Sequence, residues 1–151
     1  MLFIAVMPSL AFADKSELPT FAITVERIKK VTGQLHYQLF SCPVKKEATW
    51  QHLSVKQVGQ LVIRQAELSF TLNSLSTGQY IVRVFQDIND NQQLDYASNG
   101  IPKEPFGFST NPSIMLGQPM PIDVCFSYPL TEPLLIKLNN KKKRKKIKRH
   151  K

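Results

Sequence analysis

The sequence has few of the residues and patterns that mark enzymes or helical proteins. It contains only three histidines, His36, His52 and His150, and none lies in a zinc-binding or nucleophile motif. Neither a phosphate-binding glycine loop nor a Gly-x-Ser-x-Gly motif is present. No window of useful length repeats apolar residues at helical spacing. We therefore expect neither an enzyme nor a helical fold.

Long apolar runs are also scarce. The run near the N-terminus, Leu2 to Leu10, is too short to span a bilayer as a helix. It leads into Ala11-Phe12-Ala13, a small-x-small pattern typical of a signal-peptide cleavage site, although no Lys or Arg precedes the run. An N-terminal strand or buried helix is the alternative. We predict a signal peptide over residues 1–13 and a periplasmic or secreted protein without a transmembrane segment.

Cysteine is limited to Cys42 and Cys125. In an exported protein an even number of cysteines permits a disulfide, so these two are predicted to pair with each other. Two buried free thiols are the alternative, because a free cysteine packs as a small apolar residue. The wide spacing, with no histidine-rich segment as partner, argues against a structural zinc site.

Acidic residues are fewer than basic ones, 11 against 20, but the basic excess has a single location. The C-terminal segment Lys141–Lys151, KKKRKKIKRHK, holds nine of the basic residues, which leaves 11 basic and 11 acidic residues elsewhere. Like charges at this density repel one another, so residues 141–151 are predicted to be a disordered tail. The tail is either a solubilising end or a binder of an anionic surface such as lipid headgroups, lipopolysaccharide, an acidic protein or nucleic acid.

Short runs that alternate apolar and polar residues fill the rest of the chain. Successive side chains of a strand lie on opposite faces, so such runs predict half-buried strands. The predicted strands cover residues 21–28, 33–40, 53–63, 67–73, 79–86, 119–128 and 133–138. About seven strands separated by turn residues predict one all-β domain, residues 14–140, folded as an antiparallel sandwich. A barrel is the alternative.

The longest predicted connection, residues 87–111, begins with polar side chains at regular spacing. Asp87, Asn89, Asn91 and Asp95 occupy relative positions 1, 3, 5 and 9, which overlap the ligand order of an EF-hand loop. Carboxylate and amide oxygens are the ligands that Ca²⁺ prefers. The pattern therefore indicates a calcium site, and the alternative is a polar loop whose side chains cap turns through hydrogen bonds to the backbone.

Two positions weaken the calcium hypothesis. Gln92 stands where an EF-hand loop has glycine, and Ser98 stands where it has a bidentate glutamate. Glu104 would have to complete the ligand set from a distance. Any calcium site here is therefore expected to be weak or partial.

The second half of the connection reads NGIPKEPFGFS. Ile101, Phe106 and Phe108 are too apolar to remain in water, so this block is predicted to fold back onto the sandwich. It would then serve in packing or form the rim of a ligand groove.

Taken together, the strand, the polar loop and this block resemble the domain-of-unknown-function family 2141, a group of uncharacterised bacterial exported proteins. The strand and loop match at Gly78, Tyr80, Asp87, Asn89, Asn91, Leu94 and Asp95. The block matches at Gly100, Ile101, Pro102, Glu104, Gly107, Phe108 and Ser109. The chain departs at Gln86, where the family often has His, and at Gln92, where it often has Gly. The resemblance implies an immunoglobulin-like or transthyretin-like sandwich outside the cytoplasm and no known activity.

These observations predict an exported β-sandwich that is a binding or structural module without enzymatic activity. Two alternatives stay open. One is a calcium-stabilised ligand-binding or adhesion domain that uses the Asp87–Asp95 loop. The other is a polyanion or membrane-surface binder that uses the basic tail.

Overall fold

The computed structural model describes residues 20–72, 75–98, 102–115 and 117–140, which form two packed β-sheets. The strands are β1 (Phe21–Glu26), β2 (Gln34–Ser41), β3 (Val55–Val62), β4 (Leu68–Leu72), β5 (Gly78–Asp87), β6 (Phe106–Phe108), β7 (Phe126–Tyr128) and β8 (Leu134–Lys137). Two short 3-10 helices, Trp50–His52 and Pro121–Val124, lie between strands. The predicted all-β sandwich is confirmed. The predicted signal peptide and basic tail lie outside the described residues.

No helix within the described ranges is both long enough and apolar enough to cross a membrane.

The two sheets differ in size and in strand direction. The smaller sheet has the order β4-β1-β8, and the larger has the order β3-β2-β5-β6, with β7 paired to β5 on the same edge as β6. Every pairing between the described strands is antiparallel except that of β1 with β8, which is parallel, so the sandwich is predominantly antiparallel. The chain crosses from β7 in the larger sheet to β8 in the smaller one, and such a crossover permits parallel pairing.

The inner core is the apolar cluster between the two sheets. Strand β5 contributes Tyr80, Val82 and Val84, which share a face as the alternation predicted, and β2 contributes Leu35 and Leu39. The facing sheet supplies Phe21, Ile23, Val25, Leu68, Leu72, Leu134 and Ile136. Removal of this apolar surface from water is the main force that holds the sheets together.

The other face of the larger sheet carries a second apolar group, here called the outer cluster. Its buried members are Phe40, Ile81, Phe85, Phe106, Phe108 and Val124. No sheet formed by the described residues covers this face. Connecting segments cover it, and Trp50, Leu53, Leu94, Ile114 and Cys125 from those segments pack against it. Strand β5 is consequently buried on both faces over most of its length.

Two predicted boundaries are wrong. The predicted loop after β5 contains a strand, β6, which pairs with Arg83–Phe85 of β5. A Cβ at Gly107 would lie 2.8 Å from Cγ2 of Ile136, so β6 needs glycine between its two phenylalanines. Because glycine is unfavourable in strands, the sequence pattern did not predict β6. The predicted strand at 119–128 begins with the 3-10 helix, since proline cannot donate to a ladder, and only Phe126–Tyr128 is extended.

A disulfide joins Cys42, directly after β2, to Cys125, directly before β7, with their Cα atoms 5.7 Å apart. The bond links positions 83 residues apart in the chain. Cys125 packs against the outer cluster, so the bond fastens one of the covering segments to the sheet.

Candidate functional site

The polar loop starts from a buried carboxylate. Asp87 is the last residue of β5, and its side chain is fully buried. Oδ1 accepts the backbone N–H of Asn91 at 3.3 Å, and Oδ2 accepts that of Gln92 at 2.7 Å. Gln92 adopts a left-handed φ of 62°. Glycine adopts that conformation without strain, which explains why the family that this chain resembles often has glycine at this position.

The next three predicted site residues contact one another. Asp95 Oδ2 accepts a hydrogen bond from Asn89 Nδ2 at 2.8 Å, and both Asp95 oxygens lie 3.2 Å from Asn91 Nδ2. The amide oxygens face the backbone, since Asn89 Oδ1 accepts the N–H of Asn91 at 3.3 Å and Asn91 Oδ1 accepts the N–H of Gln93 at 3.0 Å. The side chains therefore brace the loop from within.

A second buried carboxylate closes the loop from the motif block. Glu104 is 7% exposed. Its Oε1 accepts the N–H of Ile88 at 2.8 Å, and its Oε2 accepts the N–H of Asp95 at 3.3 Å. The backbone N–H of Lys103 also donates to the Asp95 carbonyl at 2.7 Å. Glu104 thus ties both ends of the Asp87–Asp95 loop to the block that follows it.

The connection between β1 and β2 packs against the root of the loop. Gly33 has a φ of 73°, and an added Cβ there would collide with the Asp87 carbonyl oxygen. Gln34 Nε2 donates to Asp90 Oδ1 at 2.9 Å. His36 Nε2 lies 3.5 Å from Asp87 Oδ2 and makes no hydrogen bond within the described residues. The root of the loop is therefore held on two sides.

The four predicted metal ligands do come together, but as hydrogen-bond partners of one another and of the backbone. The Asn89 and Asn91 amides present N–H groups to Asp95, whereas a cation would need their oxygens. Among the residues that the structure describes, no three His, Cys, Asp or Glu side chains are grouped to hold a metal ion. The calcium site stays a prediction, and the contacts observed are those of the turn-capping alternative.

The rest of the motif block is structural where it is described. Gly100 and Ile101 lie outside the described residues, and Pro102 forms an isolated bridge with Tyr96. Phe106 and Phe108 are buried in the outer cluster, as predicted for this block. Ser109 Oγ donates to the Val124 carbonyl at 2.5 Å and accepts the N–H of Val82 at 3.2 Å, which links β5 to the second 3-10 helix.

Neither described histidine lies in a catalytic arrangement within the described residues. His36 faces Asp87 and stacks on Phe85, with ring centroids 4.8 Å apart, and its Nε2 forms no hydrogen bond with a described hydroxyl or thiol. His52 Nδ1 lies 2.7 Å from Thr49 Oγ1, a contact within one turn on the exposed surface. A nucleophile–base–acid relay is absent at both positions.

Arg83 is a candidate site residue that sequence reasoning missed. It lies on the outer face of β5, with its guanidinium carbon 5.4 Å from the Phe40 ring centroid and 5.0 Å from that of Trp50. Burial lowers the pKa of Arg83, and the nearby Tyr96 acts in the opposite direction. The sequence signal that could have identified Arg83 is its place in a strand that is otherwise apolar on both faces.

A family model described as "Uncharacterized protein conserved in bacteria (DUF2141)" matches residues 23–132. The match includes both the polar loop and the motif block, and the resemblance that these residues suggested is confirmed. No curated protein and no solved structure matches the chain.

Proposed function

The chain belongs to this family of uncharacterised bacterial proteins, and from that premise we propose that it is an exported β-sandwich acting as a binding or structural module without enzymatic activity. Two features support export. The N-terminal residues have the form of a signal peptide. The Cys42–Cys125 bond is of a kind that persists in oxidising compartments.

The observation that carries the proposal is the bracing of the long loop. Asp87 and Glu104 each accept two backbone N–H groups of the loop, and both carboxylates are buried. Long connections in compact domains are commonly functional, and binding residues are often loop residues positioned by a rigid scaffold. A loop held in place by two buried carboxylates on a sandwich scaffold is better suited to binding a partner or to assembly than to catalysis.

A thermal-shift screen of the full chain against small anions, sugars, peptides and divalent cations tests this function. A binding module is expected to show a saturable rise in Tm with at least one class, because a ligand of the native state raises stability. Saturable hydrolysis of a chromogenic ester, phosphate or glycoside, abolished by a point substitution, would overturn the non-enzymatic assignment.

Export has its own test. Mass spectrometry of the protein from the periplasm or medium is expected to find Asp14 as the first residue, with a mass increase of two hydrogens on reduction of the disulfide. An intact N-terminus in that fraction, or a mass that reductant leaves unchanged, would contradict the export half of the proposal.

The second candidate is a calcium-stabilised ligand-binding or adhesion domain. It is supported by the convergence of Asn89, Asn91 and Asp95 beside Asp87. Binding would require the two amides to turn their oxygens inward and release Asp95. Millimolar CaCl₂ at constant ionic strength is then expected to raise the Tm of wild type but not of Asp95→Asn. An unchanged wild-type Tm rejects calcium.

The third candidate is a polyanion or membrane-surface binder. The basic tail lies outside the described residues, but its attachment point is fixed: Asn140 Nδ2 donates to the Arg27 carbonyl at 3.0 Å. Arg27, Lys29 and Lys30 are all exposed in that same connection. A positively charged surface of the folded domain therefore lies next to Asn140, the residue from which the basic tail continues.

Binding to anionic vesicles tests the tail. Each basic residue near such a surface contributes about 1 kcal/mol, so deletion of 141–151 is expected to abolish salt-sensitive binding. Lys29→Gln/Lys30→Gln is expected to weaken binding by about tenfold or more. Lys45→Gln/Lys46→Gln, which removes two adjacent exposed lysines after β2, is the matched control and is expected to change binding less. Full binding after deletion of the tail would reject this candidate.

A further inference from the structure

The guanidinium of Arg83 has no acidic partner among the described residues. The ion pair recorded within those ranges, His36 with Asp87, does not involve it. Its Nε and Nη2 both donate to the Gln38 side-chain oxygen, at 3.0 and 2.5 Å. That contact neutralises no charge. A partly buried cation without an anion is costly, and proteins usually pair such a group.

Part of the guanidinium stays available to a ligand. Nη1 makes no hydrogen bond to a described residue, and it is not among the polar atoms that are sealed from solvent without a partner. Arginine carries five N–H donors in a planar fork that matches the two oxygens of a carboxylate. Gln38 uses the Nε side of the fork, and no described residue occupies the Nη1 side, where an anion could bind.

The surroundings of Arg83 are apolar and partly open. Phe40 and Trp50 flank the guanidinium on one side, and Tyr96, which is 44% exposed, lies near it. Cross-strand register places Gln38 beside Arg83 and Val58 beside Gln38 on the same face. Val58 is 61% exposed, so an apolar side chain on the edge strand β3 is open to a ligand on the far side of Gln38. Binding sites commonly combine such an apolar surface with one orienting polar group.

We propose that Arg83 is the anion-binding group of a site on the outer face of the larger sheet, and that its ligand is a small monocarboxylate with an apolar body. One cation in an apolar frame balances one negative charge, whereas a phosphate dianion would require further basic groups. The proposal deepens the binding function given above and rests on it. Trp50, which is partly buried, and the exposed Val58 would contact the apolar body, and Gln38 would hold the guanidinium in place.

Trp50 provides a direct readout because it is the single tryptophan and lies against Arg83. Octanoate is the probe, octanamide is its neutral match, and inorganic phosphate is the second anion. Titration of the full chain with octanoate is expected to change Trp50 fluorescence saturably. Octanamide and phosphate are each expected to bind about tenfold more weakly or worse, because neither combines the single charge with the apolar body.

Three variants decide the assignment. Arg83→Gln removes the charge and is expected to weaken octanoate binding by about tenfold or more. Arg83→Lys keeps the charge without the fork and is also expected to weaken binding. This variant decides the assignment if Arg83→Gln does not fold. Arg64→Gln removes an exposed arginine elsewhere and is expected to bind as wild type. The basic tail is present in all of them, so binding to the tail would survive each substitution.

Octanoate binding that is unchanged in the Arg83 variants overturns the proposal, as does equal binding of octanamide or phosphate, or no saturable response in wild type. Each of these results removes the carboxylate site alone. The broader binding function would still be judged by the thermal-shift screen and the hydrolysis assays.

Discussion

The two faces of the larger sheet are buried by different means. The inner face is covered by a second sheet, and side chains such as Leu35, Leu39 and Val84 are fully buried there by regular alternation. The outer face is covered by connecting segments, and its burial depends on a few specific polar contacts. Glu104 holds the polar loop, and Trp50 Nε1 donates to the Pro119 carbonyl at 2.8 Å.

This difference distinguishes the inner core, which holds the scaffold together, from the segments that cover the outer face. Loss of one methyl group in the inner core weakens a packed, cooperative unit, because interiors are close to crystal density. Loss of one hydrogen bond on the outer face is instead expected to release a single segment, since such segments can open at free energies below that of global unfolding. Candidate site residues Asp87, Asp95 and Arg83 all lie on or beside the outer face. A local change there is therefore expected to leave the sandwich folded.

The largest effect is expected from the disulfide, which joins the sheet to a covering segment. Cys42→Ser/Cys125→Ser is expected to lower the free energy of unfolding by about 4 kcal/mol, because the bond closes a loop of 83 residues that the unfolded chain would otherwise sample freely. Urea denaturation of oxidised wild type and of the variant measures the loss. Equal midpoints would show that the outer face does not need the bond.

A smaller but global loss is expected in the inner core. Leu35→Ala should lower the free energy of unfolding by about 3 kcal/mol, because the truncated side chain leaves a cavity between the sheets. Val62→Ala on β3 is the control: Val62 is 57% exposed, so a change within about 0.5 kcal/mol is expected. Similar losses in the two variants would show that the inner face is not the better packed one.

The inner face could be predicted from the sequence, whereas most of the outer face could not. Period-two alternation identifies Val82 and Val84 as core residues without knowledge of their partners. The contacts of Glu104 with Ile88 and Asp95 depend on how a long connection folds back, and no local pattern encodes that. One signal on the outer face was present: Ile81 and Phe85 make β5 apolar on both faces, as expected of a strand covered on both sides.

Local sequence pattern is also an incomplete guide at the candidate site, as the spacing of Asp87, Asn89, Asn91 and Asp95 illustrates. These side chains do meet in the structure, as hydrogen-bond partners of one another and of the backbone. Spacing does not specify which amide atom faces inward. In the structure the nitrogen atoms of Asn89 and Asn91 face Asp95, and a cation would need the oxygens instead.

The smallest and most local effect is expected at Glu104. Glu104→Ala removes the acceptor of two backbone N–H groups, and hydrogen bonds to a charged group contribute roughly 1.5–3 kcal/mol. Partial access of water to the loop offsets part of this, so a local loss of about 2 kcal/mol is expected. Native-state hydrogen exchange measures it: protection should fall at Ile88 and Asp95 and stay unchanged at Val82 and Val84.

Glu67→Ala is the matched control, since Glu67 is an exposed carboxylate beside β4 and its loss should leave protection of the loop as it is. Two results would contradict the distinction between the faces. If Glu104→Ala lowers protection equally at Val84, the polar loop is part of the cooperative core rather than a segment fastened onto it. If protection at Ile88 does not change, the loop is held by Asp87 and its own amides rather than by Glu104.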